Sequence, residues 1–201
     1  MKKLNLGNKR NAANAAVLAS VMLIAAAAGC ACGDKTQQPA ESAVVEEAGY
    51  RDDVACADIQ AAVADTLGEN YWPNMDIPAE FLAETYGVTE DLYDEYIAQM
   101  PMISTNVDTL IVVKAKEGSE QAVEDALNAY HQMMVDDTMQ YPMNLGKIQA
   151  GQVKTFGRYV CFVQLGADVM TQMEEGDEAV IAHCEQENAK ALEAIEGVLT
   201  K

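Results

Sequence analysis

Two stretches of this sequence, NVDTLIVVK at 106–114 and YVCFVQLG at 159–166, are too apolar to have a wet side. Short runs of this kind, rich in β-branched residues, read as strands buried on both faces. A segment with helical periodicity lies between them. Ser119 stands at its capping position, and Val123, Ala126, Leu127, Tyr130, Met133 and Met134 form one stripe. Glu120, Glu124, Asp125 and Asn128 occupy the opposite face. The half-polar KIQAGQVKT at 147–155 reads as a third strand, joined through a turn at 156–158 to the apolar run at 159–166. A last helix is expected over 177–199 with the stripe Val180, Ile181, Cys184, Leu192, Ile195 and Leu199, interrupted only by Asn188. Thr171 and Glu174 have capping-box spacing, which leaves the start of this helix open.

The order β-α-β-β-α constrains the topology. A strand followed by a crossover helix returns parallel and right-handed, and the next two strands pair as a hairpin. The two apolar strands should be central neighbours, with the polar 147–155 strand at an edge. The expected fold class is therefore α+β: a β-α-β-β-α ferredoxin-like sheet lacking its final strand, helices on one face, preceded by an N-terminal helical segment able to cover another surface. In that segment Asp52 or Asp53 is placed to cap a helix running to Leu67, with Val54, Ile59, Val63 and Leu67 on one side and Gly68 at its end. YWPNMDIP at 71–78 should be irregular because of Pro73 and Pro78. Helical turns are expected at 79–86 and 90–98, ended by Gly87 and Pro101. The loop DDTMQYPMN at 136–144 contains Pro142, which bars continuation of the preceding helix.

Ahead of the domain the chain carries an address. Its first ten residues hold Lys2, Lys3, Lys9 and Arg10, and 15–28 (AAVLASVMLIAAAA) contains no charge. About fourteen apolar residues are too few for a stable transmembrane helix and suit the apolar region of a signal peptide. The run ends Ala27-Ala28-Gly29-Cys30 and resembles a lipobox, in which small residues precede a cysteine that is diacylated and becomes the new N-terminus. The domain scheme is thus 1–29 signal peptide, 30–50 lipidated Cys30 and acidic linker, and 51–201 a single α+β domain. Two acyl chains make such an anchor stable where one is marginal. The polar linker, containing Pro39, would keep the domain near a membrane without pressing it there. The expected location is extracytoplasmic, held at the cell membrane by Cys30.

The segments NVDTLIVVKAKEGSEQAVEDALNAY and MQYPMNLGKIQAGQVKTFGRYVCFVQLG resemble a family of small bacterial lipoproteins described as domain of unknown function 4358. The likeness covers roughly 53–166, and its specific pieces are strand–KAKEG–helix, the YPMN loop and the strand pair. It implies the address and the fold, and it brings no activity and no site residues.

Charge narrows the function classes. Four of the 13 basic residues fall in the first ten positions, leaving nine against 32 acidic residues, a net −23. Nucleic-acid binding runs on Lys and Arg at phosphates, so no nucleic-acid partner is expected, and anionic lipid surfaces would repel the domain. Cys56, Cys161 and Cys184 fall on apolar faces and read as core thiols, or alternatively as a disulfide pair. His131 and His183 have no partner residues at motif spacing, and no cysteine or histidine spacing suits zinc. The Met pairs at 100/102, 133/134, 139/143 and 170/173 read as core filling, with soft-metal binding as the alternative. The acidic groups lack the EF-hand pattern. No catalytic residue, metal site or cofactor is expected.

The aperiodic 71–78 segment holds the only Trp. Trp72 either closes the core where the N-terminal helix meets the sheet or, with Tyr71 and the loop residues Tyr141, Pro142 and Met143, walls a partner groove. The expected role is a non-catalytic binding or assembly module for an envelope protein or small ligand. The alternatives are a small envelope enzyme and a soft-metal or calcium binder.

Overall fold

The computed structural model describes residues 49–137 and 139–200, so the export segment, Cys30 and most of the linker lie outside the described residues. The elements in chain order are α1 (Cys56–Leu67), a 3-10 turn (Gly68–Asn70), β1 (Met75–Asp76), α2 (Ala79–Tyr86), β2 (Tyr93–Met100), β3 (Thr109–Ala115), α3 (Glu120–Asp136), α4 (Pro142–Ala150), β4 (Gln152–Phe156), β5 (Tyr159–Gln164), α5 (Met170–Glu175) and α6 (Asp177–Leu199). The strands form one sheet in the order β1-β2-β3-β5-β4, and every neighbouring pair is antiparallel.

The α+β class and the β3-β5-β4 arrangement follow the expectation. The two apolar strands are neighbours in register, Val112 opposite Cys161 and Ile111 opposite Phe162. The polar strand β4 stands at an edge, parallel to β3 across β5. The helices, however, cover both faces. Leu110, Val112, Cys161 and Val163 pack with Ile59, Val63, Leu192 and Ile195, the inward sides of α1 and α6. Ile111, Val113, Val160 and Phe162 pack with Leu82, Tyr86, Val123 and Leu127, from α2 and α3. A strand with no polar face cannot leave one face to water at roughly 25 cal/mol per Å² of apolar surface. These four helices therefore divide, two to a side, and the expectation of helices on one face is corrected.

Three local readings also change. Residues 93–100 form β2, where a helical turn was expected. Once β3 is in place its free edge offers a ladder from Gln99↔Leu110 to Tyr93↔Ala115, with an irregularity between Tyr93 and Glu95, and pairing overrides the weak local helix signal. Pro142 starts a helix: it sits in the first turn of α4, where its missing N–H has no intrahelical partner to lose. The half-polar 147–155 strand is thus divided between α4 and β4 at Gly151. Finally, the 171–174 spacing belongs to a separate short helix, α5, which Gly176 separates from α6 by a backbone turn at φ 112°.

The N-terminal helix is fixed from a distance. α1 begins at Cys56 after Ala55, and no side chain next to it caps it. Glu95 of β2 instead accepts the Cys56 N–H at 2.9 Å, putting negative charge where the helix exposes its amides. Just upstream, the buried Tyr159 hydroxyl donates to the Val54 carbonyl at 2.6 Å and accepts the Val54 N–H at 3.1 Å. Tyr159→Phe removes both bonds and leaves a buried backbone pair unmet. It should lower the stability by about 1–3 kcal/mol in a denaturant titration. A loss below the error of that titration would show that water takes over the Val54 groups.

Candidate functional site: an apolar groove at one end of the sheet

β2 runs out at Met100, and the chain returns to β3 through residues 101–108. The 71–74 segment is laced to this corner. The Asn74 N–H donates to the Met100 carbonyl at 3.1 Å, and the Met102 N–H donates to Asn74 Oδ1 at 2.9 Å. The Tyr71 hydroxyl donates to Gln99 Oε1 at 2.8 Å, and burial pushes that phenol up to about 12. Trp72 Nε1 donates to the Glu69 carbonyl at 3.2 Å, which fixes the indole against the 3-10 turn. The first turn of α4 brings Met143 to the same corner. The result is a groove of about 450 Å³ lined by Tyr71, Trp72, Pro101, Ile103 and Met143, with Asn74, Thr105 and Asn106 at its polar edge. A smaller cavity of about 210 Å³ shares Trp72, Asn106 and Met143 with it and extends toward Asn144, Asp168 and Met170.

Beneath both lies a buried ion pair. Lys147 of α4 and Asp108 of the loop entering β3 are 2% and 0% exposed, with Lys147 Nζ 2.7 Å from Asp108 Oδ1. The ammonium also donates to the Ala167 carbonyl at 2.5 Å and to Asn106 Oδ1 at 3.3 Å, and it sits 5.5 Å from the centre of the Trp72 ring. Asp108 Oδ2 accepts the Ala167 N–H at 2.8 Å. Burial pushes the Asp108 carboxyl up from its ordinary range, while Lys147 and the backbone amides of Ala167 and Gly166 pull it back. Gly166 is required for this packing: a Cβ there would meet the Cys184 sulfur at 2.6 Å and Lys147 Cγ at 3.2 Å. Every donor of Lys147 is thus spent inside the protein. The pair ties α4, the 101–108 loop, the 166–168 turn and Trp72 into one rigid wall. It offers a ligand no free charge.

Tyr71, Trp72 and Met143 therefore line one groove. Tyr141 and Pro142 do not; they lead into it, and Tyr141 is exposed. Trp72 is 38% exposed and does not close the core. The reading of methionines as core filling holds for Met100, which packs against the core, and is corrected for six others. Met102, Met133, Met139, Met143, Met170 and Met173 are all exposed, and Met102, Met143 and Met170 gather at or beside the groove. Sequence reasoning missed Ile103, Asn106, Asp108 and Lys147. The available signal was Asp108, an acid at the entrance of an otherwise apolar strand, since a buried charge requires a partner.

The reactive side chains lie elsewhere. Cys56, Cys161 and Cys184 are free and buried. Burial pushes all three thiols up, Cys56 to about 12 and Cys184 to about 11, which keeps them from the nucleophilic thiolate form. His131 Nε2 bonds the Ile148 carbonyl at 2.7 Å and His183 Nε2 the Gly166 carbonyl at 3.1 Å. Carbonyl partners at these nitrogens make them the protonated donors. Among the described residues no group of three or more His, Cys, Asp or Glu is placed to hold a metal ion, and no helix is long and apolar enough to cross a membrane.

Compared with known proteins, residues 67–165 match the model of a family described as Domain of unknown function (DUF4358). No curated protein and no solved structure matches the chain.

Proposed function

We propose, from the match of residues 67–165 to the family described as Domain of unknown function (DUF4358) and from the groove, that the chain is a lipid-anchored extracytoplasmic protein whose domain binds a partner in the Trp72–Met143 groove without turning it over. The groove itself supports this reading most directly: an exposed indole, a proline, an isoleucine and a methionine converge on about 450 Å³ of open space. Concave apolar surface with a few polar groups at its edge is what small ligands and anchoring side chains occupy. The buried thiols and the backbone-bonded imidazoles support binding over catalysis, because none is free to attack or to move a proton at that surface.

Placement at a membrane rests on Cys30 and the apolar run before it. Mass spectrometry of the native protein should find residues 1–29 gone and a diacyl thioether at Cys30, and Cys30→Ala should move the protein from the membrane fraction to the soluble one. An unmodified Cys30 thiol on the native protein overturns the anchor. For the groove, a neutral solvatochromic dye should bind the full chain, and Ile103→Asp, which puts a charge on an exposed lining position, should weaken that binding about tenfold or more. Equal binding by the variant would move the site elsewhere.

A further inference from the structure

The groove is apolar, and the charge near it that stands outside ion pairs is of one sign. Of the seven Lys and Arg among the described residues, Arg51 and Arg158 share a surface hollow with Gly157 in the β4–β5 turn. Lys114 and Lys116 stand at the end of β3 remote from Asp108. Lys154 lies on the edge strand β4 over the Phe156 ring. At the groove end only Lys147 and Lys190 remain. The first is buried and spent on Asp108, and the second is paired with Glu187 at 2.7 Å.

Acidic residues neighbour several of the residues that line the groove and the smaller cavity. Asp168 lines the smaller cavity and is exposed. Glu174 and Glu175 follow the exposed Met170 and Met173 on α5. Glu69 supplies the carbonyl that holds Trp72, and Asp76 accepts Gln99 Nε2, one bond from Tyr71. None of these five takes part in the four ion pairs among the described residues.

Resting on the groove reading above, we propose that its occupant is a cationic amphipathic segment of another protein: an aromatic or aliphatic anchor flanked by Lys or Arg. The anchor enters between Trp72, Pro101, Ile103 and Met143, and the flanking cations lie over Asp168, Glu174 and Glu175. Flexible thioethers beside the indole let the wall fit anchors of different shape. Carboxylates that stand outside those ion pairs steer and select a basic partner. A second copy of this chain would bring an identical acidic rim to the contact, and an anionic bilayer would meet the same repulsion. Both are disfavoured by the charge that favours a basic peptide.

Trp72 is the only tryptophan, so its emission reports the groove directly. The test uses the full chain in neutral detergent and three peptides of about fifteen residues sharing one Leu/Phe anchor pattern. Their flanks are Lys in the first, Gln in the second and Glu in the third. The Lys peptide should shift Trp72 emission to the blue. The Gln peptide should bind at least about tenfold more weakly and the Glu peptide should give no shift, with the Lys affinity falling as salt rises from about 50 to about 300 mM. Glu174→Gln with Glu175→Gln should weaken the Lys peptide and flatten its salt dependence. The Ile103→Asp chain in the same micelles reports any signal arising from detergent alone.

Equal binding of the Lys and Gln peptides overturns the cationic partner while leaving the groove reading intact. So does a Trp72 shift that depends on protein concentration without peptide, which would make a second copy the occupant. Binding of the neutral dye, sensitive to Ile103→Asp, with no peptide binding at all, assigns the groove to a small apolar ligand and also overturns this inference. Failure of dye and peptides together removes the groove reading itself.

Discussion

Replacing Asp108 with Ala should lower the stability of the domain by about 3–5 kcal/mol, because it strands the Lys147 ammonium in a site 2% exposed. For about 150 residues that corresponds to a fall of roughly 6–20 °C in the unfolding midpoint. The loss comes from leaving a charge unpaired and does not measure the worth of the pair. Burial pushes the Asp108 carboxyl up, so the ionised pair already carries a desolvation cost. A carboxyl raised in the folded state contributes stability below its unfolded pKa and loses it as pH rises through the folded one. Removing both charges with apolar residues, Asp108→Leu with Lys147→Met, should therefore recover most of the loss or more. The decisive measurement is the double-mutant cycle by denaturant titration. If the double variant is as unstable as Asp108→Ala, the coupling comes from the hydrogen bonds to Ala167 and Asn106, and the charge pair is not the source.

The second large effect runs against the pattern of the sequence. Asn188 interrupts the apolar stripe of α6, so Asn188→Leu completes the stripe and by pattern alone should stabilise the helix. In the structure Asn188 Oδ1 accepts the Leu165 N–H at 2.8 Å and its Nδ2 donates to the Ala150 carbonyl at 2.7 Å. It thereby joins the end of β5 to the end of α4. All three residues are buried. The bulkier, apolar leucine leaves two backbone groups unmet at about 1–3 kcal/mol each. The variant should lose about 2–5 kcal/mol, with amide exchange accelerated first near Leu165. A stabilised variant would mean that the polar bridge contributes less than the apolar contact it displaces.

Two kinds of information separate here. The apolar runs were sufficient to place β3 and β5 side by side, because residues that cannot face water on either side must occupy the middle of a sheet. The periodicity of α3 and α6 was legible for a related reason, since an amphipathic helix writes its buried face at intervals of three and four. β2 was not legible. Its sequence YDEYIAQM carries no clear alternation, and its order comes from the edge of β3, a partner supplied by folding. Of the groove, Tyr71, Trp72 and Met143 could be nominated because aromatic residues in an aperiodic, proline-bounded loop are unusual. Ile103 and Lys147 could not, because neither position is marked by spacing or by neighbours.

What the sequence alone determined is whatever one element can encode by itself: which segments are apolar on one side or both, where helices alternate, and the excess of acid over base. The tertiary structure decided which helix lies over which face, which distant side chain answers each buried polar group, and where the exposed apolar residues collect. Glu95 at the start of α1, Asn188 between β5 and α4, and Lys147 against Asp108 are all pairings across dozens of residues. Hydrogen bonds and ion pairs act over a few ångströms, so their partners are chosen by proximity in space. A single sequence records the need for a partner but not which residue meets it.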